Sequence, residues 1–120
     1  MAQENLIKTE IQNGVVVVSF AQPSIGALNG IGEISRAINE YVDQNKPQKL
    51  IVDFEGVKFF SSQALGMLIE LWRKLEKYQG KMVISGINPQ LYRVFKITNL
   101  NKIFQFFDDS QSALKSFGEN

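Results

Sequence analysis

The apolar positions change period several times along the chain. "LIKTEI" and "VVVVSF" are short β-rich runs separated by "QNG", and Asn13-Gly14 is a pair that tolerates positive φ in a tight turn. They predict an antiparallel hairpin. "AQPSIGALNG" carries Pro23, Gly26, Asn29 and Gly30 with no sustained period and reads as a loop leading to the first helix. In "IGEISRAINEYVDQN", Ile31, Ile34, Ile38, Tyr41 and Val42 recur at three- and four-residue spacing, which places one apolar stripe on a helix. "KLIVDF" is β-branched and nearly continuous in its apolar character, as expected of a strand buried on much of both faces at the centre of a sheet.

After the turn residues Glu55 and Gly56 comes "VKFFSSQALGMLIELWRKLEKYQG", an extended apolar run that gives way to a helical pattern at two adjacent serines. Leu65, Leu68, Trp72 and Leu75 mark its stripe, Glu70 and Lys74 are spaced for an i, i+4 pair, and the helix should stop near Gly80. "KMVISGI" reads as a strand. Pro89 fits the first turn of a third helix, "PQLYRVFKIT", with Leu91, Val94 and Phe95 inward and Asn99 as a left-handed cap. "KIFQFF" reads as a last strand, and "SQSALKSF" as a short final helix with Ser110 at its N-cap. The order β-β-α-β-α-β-α-β-α implies right-handed parallel crossovers in one mixed sheet with helices packed against it, an α/β fold. No repeat or linker divides the chain, so residues 1–120 are expected to form one domain.

Composition narrows the chemistry. With 120 residues and 44% apolar content the chain can bury a real core without disulfide or metal. It has no cysteine and no histidine, which removes thiol chemistry, the usual zinc ligand sets and the commonest general base at neutral pH. No catalytic residue, metal site or cofactor is expected, and an enzyme is disfavoured. The formal charge of +1 is spread over scattered lysines and arginines, which argues against direct nucleic-acid binding. "MAQENLIKTE" resembles no signal peptide, and no run approaches membrane-spanning length, so a cytoplasmic protein without a membrane segment is expected.

Ser61 and Ser62 are the most informative pair. A serine ahead of a helix accepts a hydrogen bond from a free N–H of the first turn, which accounts for one of them. The same place suits a switch. A helix N-terminus offers unpaired donors and partial positive charge, so a phosphate there is tolerated by the fold while adding about −1.5 to −2 charges to the surface. The residues themselves leave cap and switch both open. Phe59 and Phe60 stand just before the serines, and alternation buries one and leaves the other near the surface, as a core pair or as a partner anchor. "GALNGIG" lacks a complete phosphate-binding pattern and reads as a flexible loop. Asp108 and Asp109 suit a solvated loop or a helix N-terminus better than a metal.

Over roughly its whole length, and most clearly from Leu50 onward, the chain also resembles the STAS domain, the sulfate transporter and anti-sigma factor antagonist family, and most of all its stand-alone bacterial antagonists. Leu65 and Gly66 match the Leu-Gly of the family's Asp-Ser-Ser/Thr-Gly-Leu-Gly motif. Gly80, then Pro89, Leu91 and Arg93, then Thr98, Asn99 and Leu100 follow its later pattern. The resemblance implies a mixed-sheet fold and a signalling role: binding a kinase-type anti-sigma factor, with release when that kinase phosphorylates a serine. Position for position, the family's aspartate falls on Ser61, its phosphorylated serine on Ser62, its second Ser/Thr on Gln63 and its glycine on Ala64. The loop before the first helix also lacks the acidic residue usual in antagonists.

Ser62, and beside it Ser61, are therefore the phosphorylation candidates. Phe60, Ser61, Ser62, Gln63 and Gly66 are the expected partner-binding surface. A second reading is a divergent STAS scaffold or self-associating domain that lost the switch, as the missing aspartate suggests. A small-molecule or nucleotide-binding role comes last, since no convergent polar constellation is present.

Overall fold

A computed structural model describes residues 6–25 and 31–118. The loop "GALNGIG" lies mostly outside the described residues. The hairpin is as expected. Strands β1 (Ile7–Gln12) and β2 (Val15–Phe20) pair antiparallel from Ile7 opposite Phe20 to Gln12 opposite Val15. Asn13 and Gly14 between them have φ of 53° and 80°, the sign that a tight primed turn demands. Then follow β3 (Ser24–Ile25), α1 (Ile31–Asn45), β4 (Lys49–Asp53), β5 (Phe59–Phe60), α2 (Ser62–Lys77), β6 (Lys81–Ser85), α3 (Pro89–Ile97), β7 (Phe106–Phe107) and α4 (Ser110–Ser116). The main sheet runs β1-β2-β4-β6-β7. Only the β1–β2 pair is antiparallel, so the architecture is a mixed α/β sheet with helices on it.

The near-continuous apolar run of β4 is explained by layers on both sides. Leu50 and Val52 join Val16, Val18 and Ile84 under the stripes of α1, α2 and α3. Ile51 faces the opposite way, with Val15, Val17 and Val83 beneath Ala113 and Leu114 of α4. Ile34, Ile38 and Val42 are the buried stripe of α1, while Leu91 and Phe95 anchor α3. A chain of edge-on aromatic contacts through Phe54, Phe60, Phe95 and Phe104 stitches the layer together.

Several local expectations are corrected. The buried positions of α2 are Ala64, Leu65, Met67, Leu68, Leu71 and Leu75, with Trp72 only half-buried at the margin of the stripe. Lys74 reaches across to α1, with an ion pair to Asp43 at 3.0 Å and a hydrogen bond to the Asn39 side chain, rather than to Glu70. "KIFQFF" is mostly not a strand. Leu100–Lys102 forms a single 3₁₀ turn that starts from left-handed Asn99, and the amides of Ile103 and Phe104 both donate to the Leu100 carbonyl. That turn drives Phe104 into the core and leaves only Phe106–Phe107 to pair with β6. Asp109, not Ser110, caps α4: its carboxylate accepts from the Ser112 amide at 2.8 Å. The Ser112 hydrogen bonds hold the Asp109 carboxyl below the usual carboxylate range.

Candidate functional site

The serine pair stands at the C-terminal end of the parallel strands, where α2 and α3 both begin. In an open α/β sheet this is the end at which helix N-termini and connecting loops gather. The approach to α2 is built by a feature hidden from periodicity. Ser24–Ile25 lies parallel to Phe59–Phe60 as a separate two-stranded sheet. The Pro23 carbonyl accepts from the amides of Lys58 at 2.7 Å and Phe59 at 3.2 Å, and the Ile25 carbonyl accepts from the Ser61 amide at 3.0 Å. This pairing fixes which side of the extended segment faces inward.

Phe60 is the inward residue, 6% exposed, with its ring 5.8 Å from Phe54 and 5.7 Å from Phe95. Phe59 is the outward one, 47% exposed. The expectation that Phe60 contacts a partner is therefore corrected: Phe60 is a core residue, and Phe59 is the aromatic side chain at the surface beside the serines. Ile25, only 1% exposed, is the sequence signal that the preceding loop also had a buried anchor.

The two serines occupy different environments. Ser61 is the N-cap, with extended backbone at φ −80° and ψ 164°, yet its side chain caps nothing. The Ala64 amide donates instead to the Ser61 backbone carbonyl at 2.9 Å. Among the described residues, the buried Ser61 Oγ has no hydrogen-bond partner. Ser62 is the first helical residue and is exposed, as are Gln63 and Gly66, and among the described residues nothing beyond the neighbouring helix backbone packs where a Cβ on Gly66 would stand. The structure thus leaves Phe59, Ser62, Gln63 and Gly66 exposed around the start of α2 and withdraws Phe60 and the Ser61 hydroxyl from the surface.

The floor of this end is rigid. The Ser85 hydroxyl, fully buried, donates to Asp53 at 2.9 Å across the ends of β4 and β6. Gly86 follows at φ +69°, and a Cβ there would stand 2.7 Å from the Asp53 carboxylate and 3.0 Å from the Glu55 amide nitrogen. Asn88 ties the start of α3 to the segment leading into β5. Its amide donates to the Val57 carbonyl at 3.2 Å, while its carbonyl oxygen caps α3 by accepting from the Leu91 amide at 2.9 Å. Sequence reasoning overlooked Asp53, Ser85 and Asn88. The Asn-Pro pair at a helix start was the available signal for the last of these.

Chemically, Ser62 is an exposed hydroxyl over the free N–H groups of a 16-residue helix, with no base hydrogen-bonded to it among the described residues. Such a group suits modification better than nucleophilic attack. Among the described residues, no helix is long and apolar enough to cross a membrane.

Residues 7–113 match the family model of the STAS domain. This chain belongs to the STAS domain family. It is 21% identical over 77 residues to the anti-sigma F factor antagonist of Paenibacillus polymyxa, a match covering 64% of this chain and 66% of the relative, slightly under two thirds of its length. Among solved structures, an anti-sigma factor antagonist from Mycobacterium paratuberculosis superposes with a TM-score of 0.80 at 27% identity, covering 92% of this chain and 91% of the other. The Bacillus cell fate determinant SpoIIAA in its phosphorylated form superposes with a TM-score of 0.72 at 18% identity, over 93% and 99% of the two chains, and so shares the fold. The STAS assignment agrees with the mixed sheet, the strand order and the helix layers already described.

Proposed function

We propose that this STAS domain is a cytoplasmic, non-catalytic regulator that binds a kinase-type anti-sigma factor through the surface at the start of α2, and that phosphorylation of Ser62 breaks the contact. The observation that carries the reading is the position of Ser62: first residue of α2, exposed, with Ser61 rather than Ser62 occupying the N-cap. A phosphate on Ser62 meets the positive end of the helix and leaves the core untouched. A docked partner must desolvate or repel the new charge, so recognition is lost while the fold remains. Phe59, Gln63 and Gly66 form the rest of the contact surface. The names of the Paenibacillus and Mycobacterium relatives support the partner class, and the phosphorylated form of a structural neighbour supports a fold compatible with the mark.

A second reading, a STAS scaffold without a switch, draws on one observation: no carboxylate stands at position 61, and the serine there keeps its hydroxyl inside. The deciding experiment incubates the purified chain with ATP and a kinase-type anti-sigma factor from the same organism, followed by intact and peptide mass measurement and a binding titration. A phosphate on Ser62, and weaker binding by Ser62→Asp than by wild type, are expected. Tight binding with no phosphate under any nucleotide condition establishes the scaffold reading instead. No binding by a well-folded chain rejects the anti-sigma factor as the partner.

A further inference from the structure

β7 ends the sheet, and its outer side has no strand beside it among the described residues. Its ladder with β6 uses the carbonyls of Gln105 and Phe107, which accept from the amides of Ile84 and Gly86, each at 3.0 Å. By the alternation of a parallel strand, the N–H and C=O of Phe106 point away from β6, toward the open edge. Next to that edge is a cavity of about 300 Å³ lined by Ile87, Pro89, Tyr92, Phe106, Phe107 and Asp108. The Tyr92 and Phe106 rings meet edge-on at 4.9 Å and 82°, and Asp108 is exposed at the margin.

An open strand edge and a side-chain pocket beside it are the two parts of strand addition. The edge supplies main-chain hydrogen bonds, and the pocket selects one side chain of the added segment. The pocket's own chemistry names that side chain. Aromatic rings attract a cation over their faces, a planar guanidinium stacks on them better than an ammonium, and a carboxylate at the margin takes its donors in pairs. We propose that the β7 edge docks an extended peptide segment of a partner protein, with an arginine of that segment lying on Tyr92 and ending at Asp108.

This surface is separate from the serine pair and does not depend on the role of Ser62. With only two residues in β7, a single pair of edge hydrogen bonds is available, so the affinity belongs in a weak, regulatable range on the order of micromolar to millimolar.

The test is a nuclear magnetic resonance titration of the full, isotope-labelled chain with the capped peptide Thr-Val-Arg-Val-Thr, alongside the same peptide with glutamate for arginine and free agmatine. The expected result is saturable shifts of the Phe106 amide and of the Tyr92 and Asp108 signals with the arginine peptide, and about tenfold or greater weakening for the glutamate peptide. Asp108→Lys, an exposed change, should weaken the arginine peptide by a similar factor and favour the glutamate peptide. Tyr92→Ala should weaken it as well. The proposal is overturned if neither peptide shifts the Phe106 amide, if both peptides bind equally, or if agmatine reproduces the whole effect without the Phe106 amide responding, since the site is then a small-amine pocket and not a strand-docking edge.

Discussion

Ser61 and Ser62 differ by one position and by nearly everything that matters physically. Among the described residues the buried Ser61 hydroxyl has no hydrogen-bond partner, a condition that costs stability relative to an apolar group of similar size. Ser61→Ala is therefore expected to be neutral or to stabilise by up to about 1 kcal/mol, the opposite of losing a working cap. Ser62→Ala, at an exposed first-turn position without a capping bond, should change stability by less than about 0.5 kcal/mol. Ser62→Asp should gain about 0.3–1 kcal/mol from the helix dipole. Chemical denaturation of the three variants checks all of this. A loss near 1 kcal/mol for Ser62→Ala would show that Ser62, and not Ser61, is the N-cap in solution. These small effects on folding make the same variants clean probes of binding, because any large loss of affinity cannot then be attributed to unfolding.

Among the elements, α2 has to present the serine surface at one end and bury its stripe along its length. Leu68 and Leu71 are fully buried, so Leu68→Ala and Leu71→Ala should each cost about 2–5 kcal/mol. Trp72 sits at the edge of the stripe, and Trp72→Ala should cost less than either leucine. Glu70→Ala on the exposed face should change stability by less than about 0.5 kcal/mol. Midpoints in urea at constant slope separate these outcomes, and a Trp72 effect larger than that of Leu71 would rotate the helix from its assigned face. In α4 the cap adds a pH dependence. Because the folded carboxyl of Asp109 titrates below its unfolded value, its contribution is present above the ordinary carboxylate range and is lost as pH falls through the lowered value. Asp109→Asn keeps an acceptor for the Ser112 amide but cannot titrate, so helix α4 in that variant should hold its amide protection as the pH is lowered through that window. Equal loss in wild type and variant would place the sensitivity elsewhere.

For the molecule as a whole, stability should be graded outward from β4. Leu50, Ile51 and Val52 have no exposed surface, and β4 is paired on both sides. Amide exchange should be slowest from Leu50 to Asp53 and from Met82 to Ile84, intermediate in α2, and fastest in the edge strand β1 and the short β3–β5 sheet. Exchange of β4 as fast as that of β1 would contradict the layered core. The two-residue β7 pairs directly with β6, whereas the serines follow the short β3–β5 sheet, so the start of α2 should exchange faster than the central strands.

Periodicity and turn chemistry alone determined the fold class, the hairpin at Asn13-Gly14, the stripes of α1 and α3 and the helix start at the serine pair, because each of these is set by neighbours within a few residues. A run such as "KLIVDF" also announces burial on two faces, since no amphipathic alternative fits it. The contacts made between distant segments were not legible in that way. Whether Phe59 or Phe60 points inward depends on a two-residue pairing with Ser24–Ile25, more than thirty positions earlier, and alternation by itself permits either choice. The loss of most of the "KIFQFF" strand follows from the left-handed turn at Asn99 and the core space waiting for Phe104. Lys74 chose Asp43 over Glu70 because α1 packs beside α2, which no single-helix pattern can encode. Local sequence carries local geometry, whereas the exposure of a side chain is a property of everything packed around it, and it is exposure that made Ser62 the candidate and took the Ser61 hydroxyl and Phe60 off the surface.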